Sequence, residues 1–315
     1  MSDFDRKGGA AARAAWLYYR EDFTQGEIAR ELAVSRSTVT RLLQRAKHDG
    51  LVQILLNVTS ATFQAERDLE RAYGLDRVRI VPNPNNRATL KRWLGQVAGE
   101  VLVPMVAETG IVAVSWGTTM LATADSLIGH HPVPGAQVVA MVGGLHNATT
   151  GTGANEVANQ MGKYFGAAVR PMLAPIYVQS EATALALSHD PGIRDALKLA
   201  AEASVVVYSV GAMDDEATMF KLGHVDAEQK EFLRTHGAVG DLACRWINRD
   251  GKPVELPPSI NPIGISLDDL RKIPSRVAVA GDESKQEVVL ACLRGGFATT
   301  LVTDERTADF LLAKR

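Results

Sequence analysis

Thr24 to Lys47 reads TQGEIARELAVSRSTVTRLLQRAK, and its apolar and polar spacings separately describe two short helices meeting at a tight corner. Ile28, Ala29 and Leu32, then Val34, then Val39, Leu42 and Leu43 form one buried stripe per helix, with Ala29 small where two helices must cross. Thr24 and Ser35 are suitable N-caps. Glu27 completes a capping box with Thr24, and Thr38 continues the polar start after Ser35. The non-core side of the second helix carries Ser35, Arg36, Ser37, Thr38, Thr40, Arg41, Gln44 and Arg45, and Gln25 opens the first helix. Such side chains bond base edges and phosphates, and no acidic residue interrupts them. This face predicts a helix-turn-helix that reads double-stranded DNA, whereas the bland alternative is a solvated amphipathic pair.

Outward from that motif, Ala10 to Tyr19 predicts a supporting helix whose Trp16, Leu17 and Tyr19 close a three-helix core. Gly50 is expected to end the second helix, and Leu51 to Val58 is apolar and β-branched enough for a wing strand. Residues 1–57 hold 9 Lys+Arg against 7 Asp+Glu, leaving the remainder acidic. So small a basic excess implies modest non-specific affinity and tight binding only by several copies, hence a dimer or tetramer of the chain.

The full 315 residues far exceed a winged helix, leaving one further domain. A charged helix from Ala61 to Tyr73 is read as a connector within 58–76, and 77–315 as a ligand-sensing α/β domain. In that last part short apolar runs alternate with helical stretches: Val78 to Val81, a long helix through Trp93 and Val101, Ile111 to Ser115, Val138 to Val142, Ser204 to Val210, Arg276 to Ala280 and Thr300 to Thr303. The alternation predicts a parallel sheet with ligands beyond its carboxyl strand ends. No run approaches a membrane span and no apolar signal core opens the chain, so a cytoplasmic address is expected. Cys244 and Cys292, 48 positions apart, are expected as buried thiols. No cofactor and no metal are called for.

Chemistry is sought at those strand ends. Ser115-Trp116-Gly117-Thr118-Thr119 enters a helix, either as a phosphate-binding turn or as an ordinary turn that Thr118 caps. Gly143, Gly144 and Leu145 follow the next strand, where missing side chains leave room for a ligand or simply for a turn. Asn155, Gln160, Tyr177 and Gln179 are candidates to bond sugar hydroxyls. Asp241 and Lys285 sit in glycine-carboxylate turns, the aspartate as acceptor for hydroxyls and the lysine as counterion for phosphate.

Taken together, ARAAWLYYREDFTQGEIARELAVSRSTVTRLL, SWGTT, MVGGL, PIYVQS, AVGDLACRWINRDG and VAVAGDESKQEVVLACLRGGFATTLVTDERTA resemble the SorC/DeoR-type sugar-binding transcriptional regulators along nearly the whole chain. The resemblance implies a winged helix-turn-helix joined to a Rossmann-like, sugar-phosphate-isomerase-like sheet domain that binds a phosphorylated sugar or polyol. It also implies dimers or tetramers on palindromic operators, acting as repressors and sometimes activators. Carried over, the motifs nominate Gly117, Thr118 and Thr119, Gly143 and Gly144, Asp241 and Lys285 as effector contacts. One departure stands out. Such proteins usually place two or three glycines before the lysine segment, whereas this chain has Ala280-Gly281-Asp282-Glu283. Either the two carboxylates favour a neutral sugar or polyol, or they point away.

Two other classes compete. An isomerase-like enzyme fused to a DNA reader would use Asp241, His146 or Glu156 as base, but no nucleophile-base pair is recognisable. A constitutive DNA-organising protein fits poorly with a formal net charge of −2.

Overall fold

The computed structural model describes residues 3–21, 23–49, 51–52, 60–145 and 151–315. Met1–Asn57 and Val58–Arg315 are two compact units. Among its described residues the first holds three helices, α1 (Asp3–Tyr19), α2 (Gln25–Glu31) and α3 (Arg36–His48). The capping box before α2 is present: Glu27 N–H donates to Thr24 Oγ1 at 3.3 Å and Thr24 N–H to Glu27 Oε2 at 2.8 Å. Ser35 Oγ likewise accepts from Thr38 N–H at 3.1 Å. Between the helices Ala33 turns through φ 51°, and Val34 N–H reaches back to the Ala29 carbonyl at 2.9 Å.

Ala11, Ala14, Leu17, Ile28, Val39, Leu43 and Ala46 form the core of this unit. Of the aromatics expected there, Trp16 is 57% exposed and Tyr19 37%. The inner stripe of α1 is alanine, which lets α1 and α3 approach closely, and at helical spacing Trp16 and Tyr19 fall off it. α3 ends at the cap Asp49. Gly50 and the wing strand beyond Val52 lie outside the described residues.

The second unit begins with α4 (Ser60–Tyr73), then β1 (Arg77–Val81), α5 (Arg87–Thr109), β2 (Ile111–Val114), α6 (Thr118–Ser126), β3 (Gln137–Ala140), α7 (Ala154–Phe165) and β4 (Ala168–Arg170). It continues through β5 (Tyr177–Val178), α8 (Glu181–His189), α9 (Pro191–Ala201), β6 (Val205–Tyr208), β7 (Val210–Ala212), α10 (Thr218–Lys221), α11 (Ala227–Thr235), β8 (Gly240–Leu242) and β9 (Arg245–Ile247). The last part is β10 (Asn261–Pro262), α12 (Leu267–Lys272), β11 (Ser275–Val279), a short 3-10 turn, α13 (Gln286–Arg294), β12 (Thr300–Asp304) and α14 (Glu305–Ala313).

Seven strands form one sheet in the order β1-β12-β11-β6-β2-β3-β4, every neighbouring pair parallel. The central strands are buried on both faces, Val205–Tyr208 without exception, as strands covered by helices on two sides require, while the edge strand β4 is largely exposed. From β2 the chain winds outward through β3 to β4. From β6 it winds the other way through β11 to β12. The strand order therefore reverses between β2 and β6, and loops leaving their carboxyl ends diverge and open a crevice.

Two stretches fold otherwise than the sequence suggested. Ser204 to Val210 is not one strand: the parallel strand stops at Tyr208, and Val210–Ala212 joins an antiparallel sheet with β8 and β9. The helix expected as a connector is a layer of the second unit. Glu70 and Glu66 accept the outward N–H groups of Val78 and Ile80 at 2.9 and 3.0 Å, satisfying the sheet edge, and Tyr73 OH donates to the Leu311 carbonyl at 2.8 Å. Both cysteines are buried and free. Among the described residues no helix is long and apolar enough to cross a membrane.

Candidate functional site

A cleft opens at the strand-order reversal, lined by residues that follow the carboxyl ends of β1, β2, β6 and β11. Arg87 and Lys91 come from the start of α5, Trp116, Gly117, Thr118 and Thr119 from the loop after β2, and Ser209 and Asp214 from the segment around β7. Glu216, Asp241 of β8, and Gly281, Asp282, Ser284 and Lys285 also line it.

Gly117 turns the chain into α6 at φ 115°, a conformation that favours glycine, and its N–H donates to the Thr152 carbonyl at 2.8 Å. No side chain caps this helix. Its first intrahelical bond is made by Leu121 to the Gly117 carbonyl, at 2.9 Å, so the Thr118, Thr119 and Met120 amides precede the ladder. The α6 N-terminus thus presents amide donors and a partial positive charge to the cleft. The alternative of Thr118 as a mere cap is not what this turn does, because Gly117 occupies the cap position.

Lys285 Nζ donates to Ser209 Oγ at 3.3 Å. Burial, reinforced by repulsion from Lys91, pulls its ammonium down to about 8, with Asp241, Asp282 and Asp214 opposing. Lys91 is itself lowered by burial and by Arg87. Asp241 is pushed up to about 6 by burial, against the Cys244 N–H, which donates to its Oδ2 at 3.1 Å, and against Lys285. Three cations, Arg87, Lys91 and Lys285, thus line the cleft together with the helix amides and four carboxylates, Asp214, Glu216, Asp241 and Asp282, a mixture of donors and acceptors suited to a polar ligand.

The two carboxylates of the Gly281-Asp282-Glu283 departure separate. Glu283 pairs with Arg306 at 2.9 Å and does not line the cleft. Asp282 does line it, held to Arg87 at 2.6 Å from Nε and 3.0 Å from Nη2. Burial raises its pKa, but the Ser284 N–H and Arg87 outweigh that and hold the carboxyl below its usual range.

Of the residues nominated from sequence, Gly117, Thr118, Thr119, Asp241 and Lys285 converge here. Ser115 is buried beneath the loop with its N–H on the Val207 carbonyl at 3.2 Å. Gly143, Gly144, Leu145, Asn155 and Gln179 do not line the cleft. The space at Gly143 is taken by backbone, since a Cβ there would stand 2.3 Å from the Pro175 carbonyl oxygen. Asn155 brackets Met172, accepting its N–H at 2.9 Å and donating to its carbonyl at 3.1 Å. Gln160 donates to Asp125, and Tyr177 OH to the Cys244 carbonyl at 3.2 Å. Gln179 and Glu156 are exposed. His146 lies outside the described residues.

Sequence reasoning missed Arg87, Lys91, Ser209, Asp214 and the lining role of Trp116. Arg87 and Lys91 carried a usable signal, two cations one turn apart at the helix start after β1. Trp116 is held by its Nε1–H on Cys244 Sγ at 3.1 Å, where Ala243 and Cys244 turn the β8–β9 hairpin at φ 49° and 65°. That turn carries neither glycine nor asparagine, so nothing local announced it.

In the first unit Arg36, Arg41, Gln44 and Arg45 are exposed on α3, with Ser35 and Ser37 beside them. Thr40 Oγ1 donates to Gln25 Oε1 at 3.1 Å, tying α3 to α2, and Arg45 pairs with Asp49 at 3.0 Å.

A two-helix DNA-reading corner and a sheet crevice built for a polar ligand define a ligand-responsive transcription regulator. Comparison with known proteins agrees. A putative sugar-binding domain family matches residues 58–313, and a MarR family model matches residues 14–57. The deoxyribonucleoside regulator of Bacillus subtilis is 32% identical over 301 residues, 95% of this chain and 96% of that protein. The transcriptional regulator LsrR of Klebsiella pneumoniae is 30% identical over 306 residues, 96% and 92% of the two chains. The full-length sorbitol operon regulator SorC of Klebsiella pneumoniae shares the fold, with a TM-score of 0.74 at 23% identity over 99% of both chains. The chain belongs to the SorC/DeoR-type family of sugar-binding transcriptional regulators. It is a DNA-binding regulator controlled by a sugar effector, and its relatives are regulators, not enzymes.

Proposed function

We propose that a phosphorylated sugar or polyol enters the cleft with its phosphate on the Thr118 and Thr119 amides and Lys285, and its hydroxyls toward Asp241 and Asp214. The observation that carries this reading is Lys285, a partly desolvated ammonium whose direct partner is the neutral hydroxyl of Ser209, 3.3 Å away. Asp241, Asp282 and Asp214 act on it from a distance, and an arriving dianion supplies a direct ionic partner. The chain acts in the cytoplasm as a dimer or tetramer on a palindromic operator, with Arg36, Ser37, Arg41 and Gln44 reaching bases and phosphates. Effector binds one assembly geometry better than another, and this difference limits how far operator affinity shifts. Repression relieved by the metabolite is the sign proposed.

A thermal-shift screen against sugars and polyols paired with their phosphate esters tests the reading, since a ligand of the native state alone raises the midpoint. Pentoses head the panel because the Bacillus subtilis relative is named for deoxyribonucleosides. Stabilisation by an ester and not by its parent sugar is expected, and is lost in Lys285→Met, which removes the ammonium. Stabilisation by free sugars alone overturns the anion locus.

A further inference from the structure

Asp282 sits at φ 93° and ψ 141°, a backbone region that residues other than glycine rarely enter because the Cβ crowds the neighbouring peptide. Strain of this kind persists only where surrounding contacts over-determine it. Here they come from three sides. The Asp282 N–H donates to Asp304 Oδ2 at 2.5 Å. Its Oδ1 accepts from the Ser284 N–H and hydroxyl, each at 3.1 Å, and both oxygens engage Arg87. The first contact uses only the backbone amide, so glycine would make it without strain. What the aspartate side chain adds is the turn to Ser284 and the ion pair.

That ion pair decides what the cleft offers at its α5 end. Arg87 stands one helical turn from Lys91, and Lys285 completes a trio of cations in the lining. A guanidinium presents a planar fork that takes a phosphate by two parallel bonds, and the Asp282 carboxylate already fills it in that manner. The other three carboxylates are placed differently: Glu216 is tied to Lys221 at 2.5 Å, Asp241 bonds the Cys244 amide, and Asp214 acts on Lys285. An effector whose one phosphate lies at the α6 N-terminus meets a neutral pair at the Arg87 end. A second phosphate there meets a carboxylate.

We propose that Asp282 is a specificity-determining residue that restricts the cleft to effectors with a single phosphate, by occupying the Arg87 guanidinium that would otherwise bind a second one. The inference rests on the reading of the cleft as an anion-binding effector site. It assigns the backbone strain at Asp282 to ligand choice and not to stability.

The test is calorimetric titration of the full-length protein, its Asp282→Gly and its Asp282→Asn variants with inorganic phosphate, ribulose 5-phosphate and ribulose 1,5-bisphosphate. In both variants the affinity for the bisphosphate relative to the monophosphate is expected to rise about tenfold or more, the scale of one charge-assisted bidentate contact. The melting temperature of Asp282→Gly should equal or exceed that of the parent because the strain is relieved. A ratio unchanged in both variants, with phosphate still bound, overturns the inference alone. A shift in Asp282→Gly but not in Asp282→Asn assigns the effect to backbone and also overturns it. Failure of the parent to bind any of the three probes overturns the anion-site reading and the inference with it.

Discussion

The buried Asp304 carboxylate receives two backbone amides from different elements: Oδ2 takes the Asp282 N–H at 2.5 Å and Oδ1 takes the Thr307 N–H at 2.7 Å. It caps α14 and at the same time fixes the turn that carries the cleft's Asp282, Ser284 and Lys285. Asp304→Ala leaves the buried Thr307 donor and the part-buried Asp282 donor without this partner, at a cost of about 2–5 kcal/mol. Urea denaturation is expected to show that loss, with inorganic phosphate binding weakened as well. A midpoint unchanged from the parent contradicts the capping role.

Binding of inorganic phosphate should fall as pH rises through about 8. The Lys285 ammonium, lowered to about 8 by burial and Lys91, is stabilised by a bound anion, so binding takes up a proton in that window. Calorimetry in buffers of different ionisation enthalpy measures the uptake. Lys285→Met should weaken binding and remove the alkaline limb.

Asp241 is raised to about 6 from an ordinary 3.8, chiefly by burial. The folded state therefore holds a proton that the unfolded state has released across that interval. The stability this contributes is complete below about pH 4 and is lost as pH rises through about 6. Asp241→Asn cannot ionise, so its stability relative to the parent should rise between those values and level off above them. A difference that is flat across this range in denaturant titrations contradicts the shift.

Arg41→Ala and Gln44→Ala should weaken binding to a duplex selected by the protein from a random pool, and leave effector binding intact. Arg41→Ala is expected to lower the slope of log affinity against log salt by about 1 if the guanidinium contacts a phosphate. Gln44→Ala should leave the slope unchanged and relax sequence preference. Anisotropy across a salt series separates the two.

Thr24→Ala removes the Thr24 Oγ1 acceptor of the Glu27 N–H and should cost about 1 kcal/mol. The loss is read from the first unit's thermal transition.

The helix-turn-helix was legible because its determinants are local. Thr24 and Ser35 cap within three residues, and the Ile28, Val39 and Leu43 stripe needs no distant partner to be recognised. Trp16 was misjudged because hydrophobic size was weighed over helical phase. In the second unit the β-α alternation announced a parallel sheet, and the rule of carboxyl strand ends led to Thr118 and Lys285, whereas Asp241, read from a glycine-carboxylate turn, lies within the antiparallel strand β8. The same rule led to Gly143 and Gly144, where it failed. Their backbone meets Pro175 and Ala174 across the isolated bridges at that edge, a partner that no spacing reveals.

Local sequence chemistry by itself determined which segments become helices and strands, where they start, and that one unit reads DNA while another presents turns to a ligand. Tertiary structure decided which of those turns share a cleft. That choice follows from the strand order, because only the reversal between β2 and β6 makes neighbouring loops diverge and leaves a gap between them. It also decided the charge of the cleft, because Arg87 and Asp282, 195 positions apart, cancel only once β12 has paired with β1 on one side and β11 on the other. Ion pairing depends on distances of a few ångströms, and such distances between remote residues exist only in the folded chain.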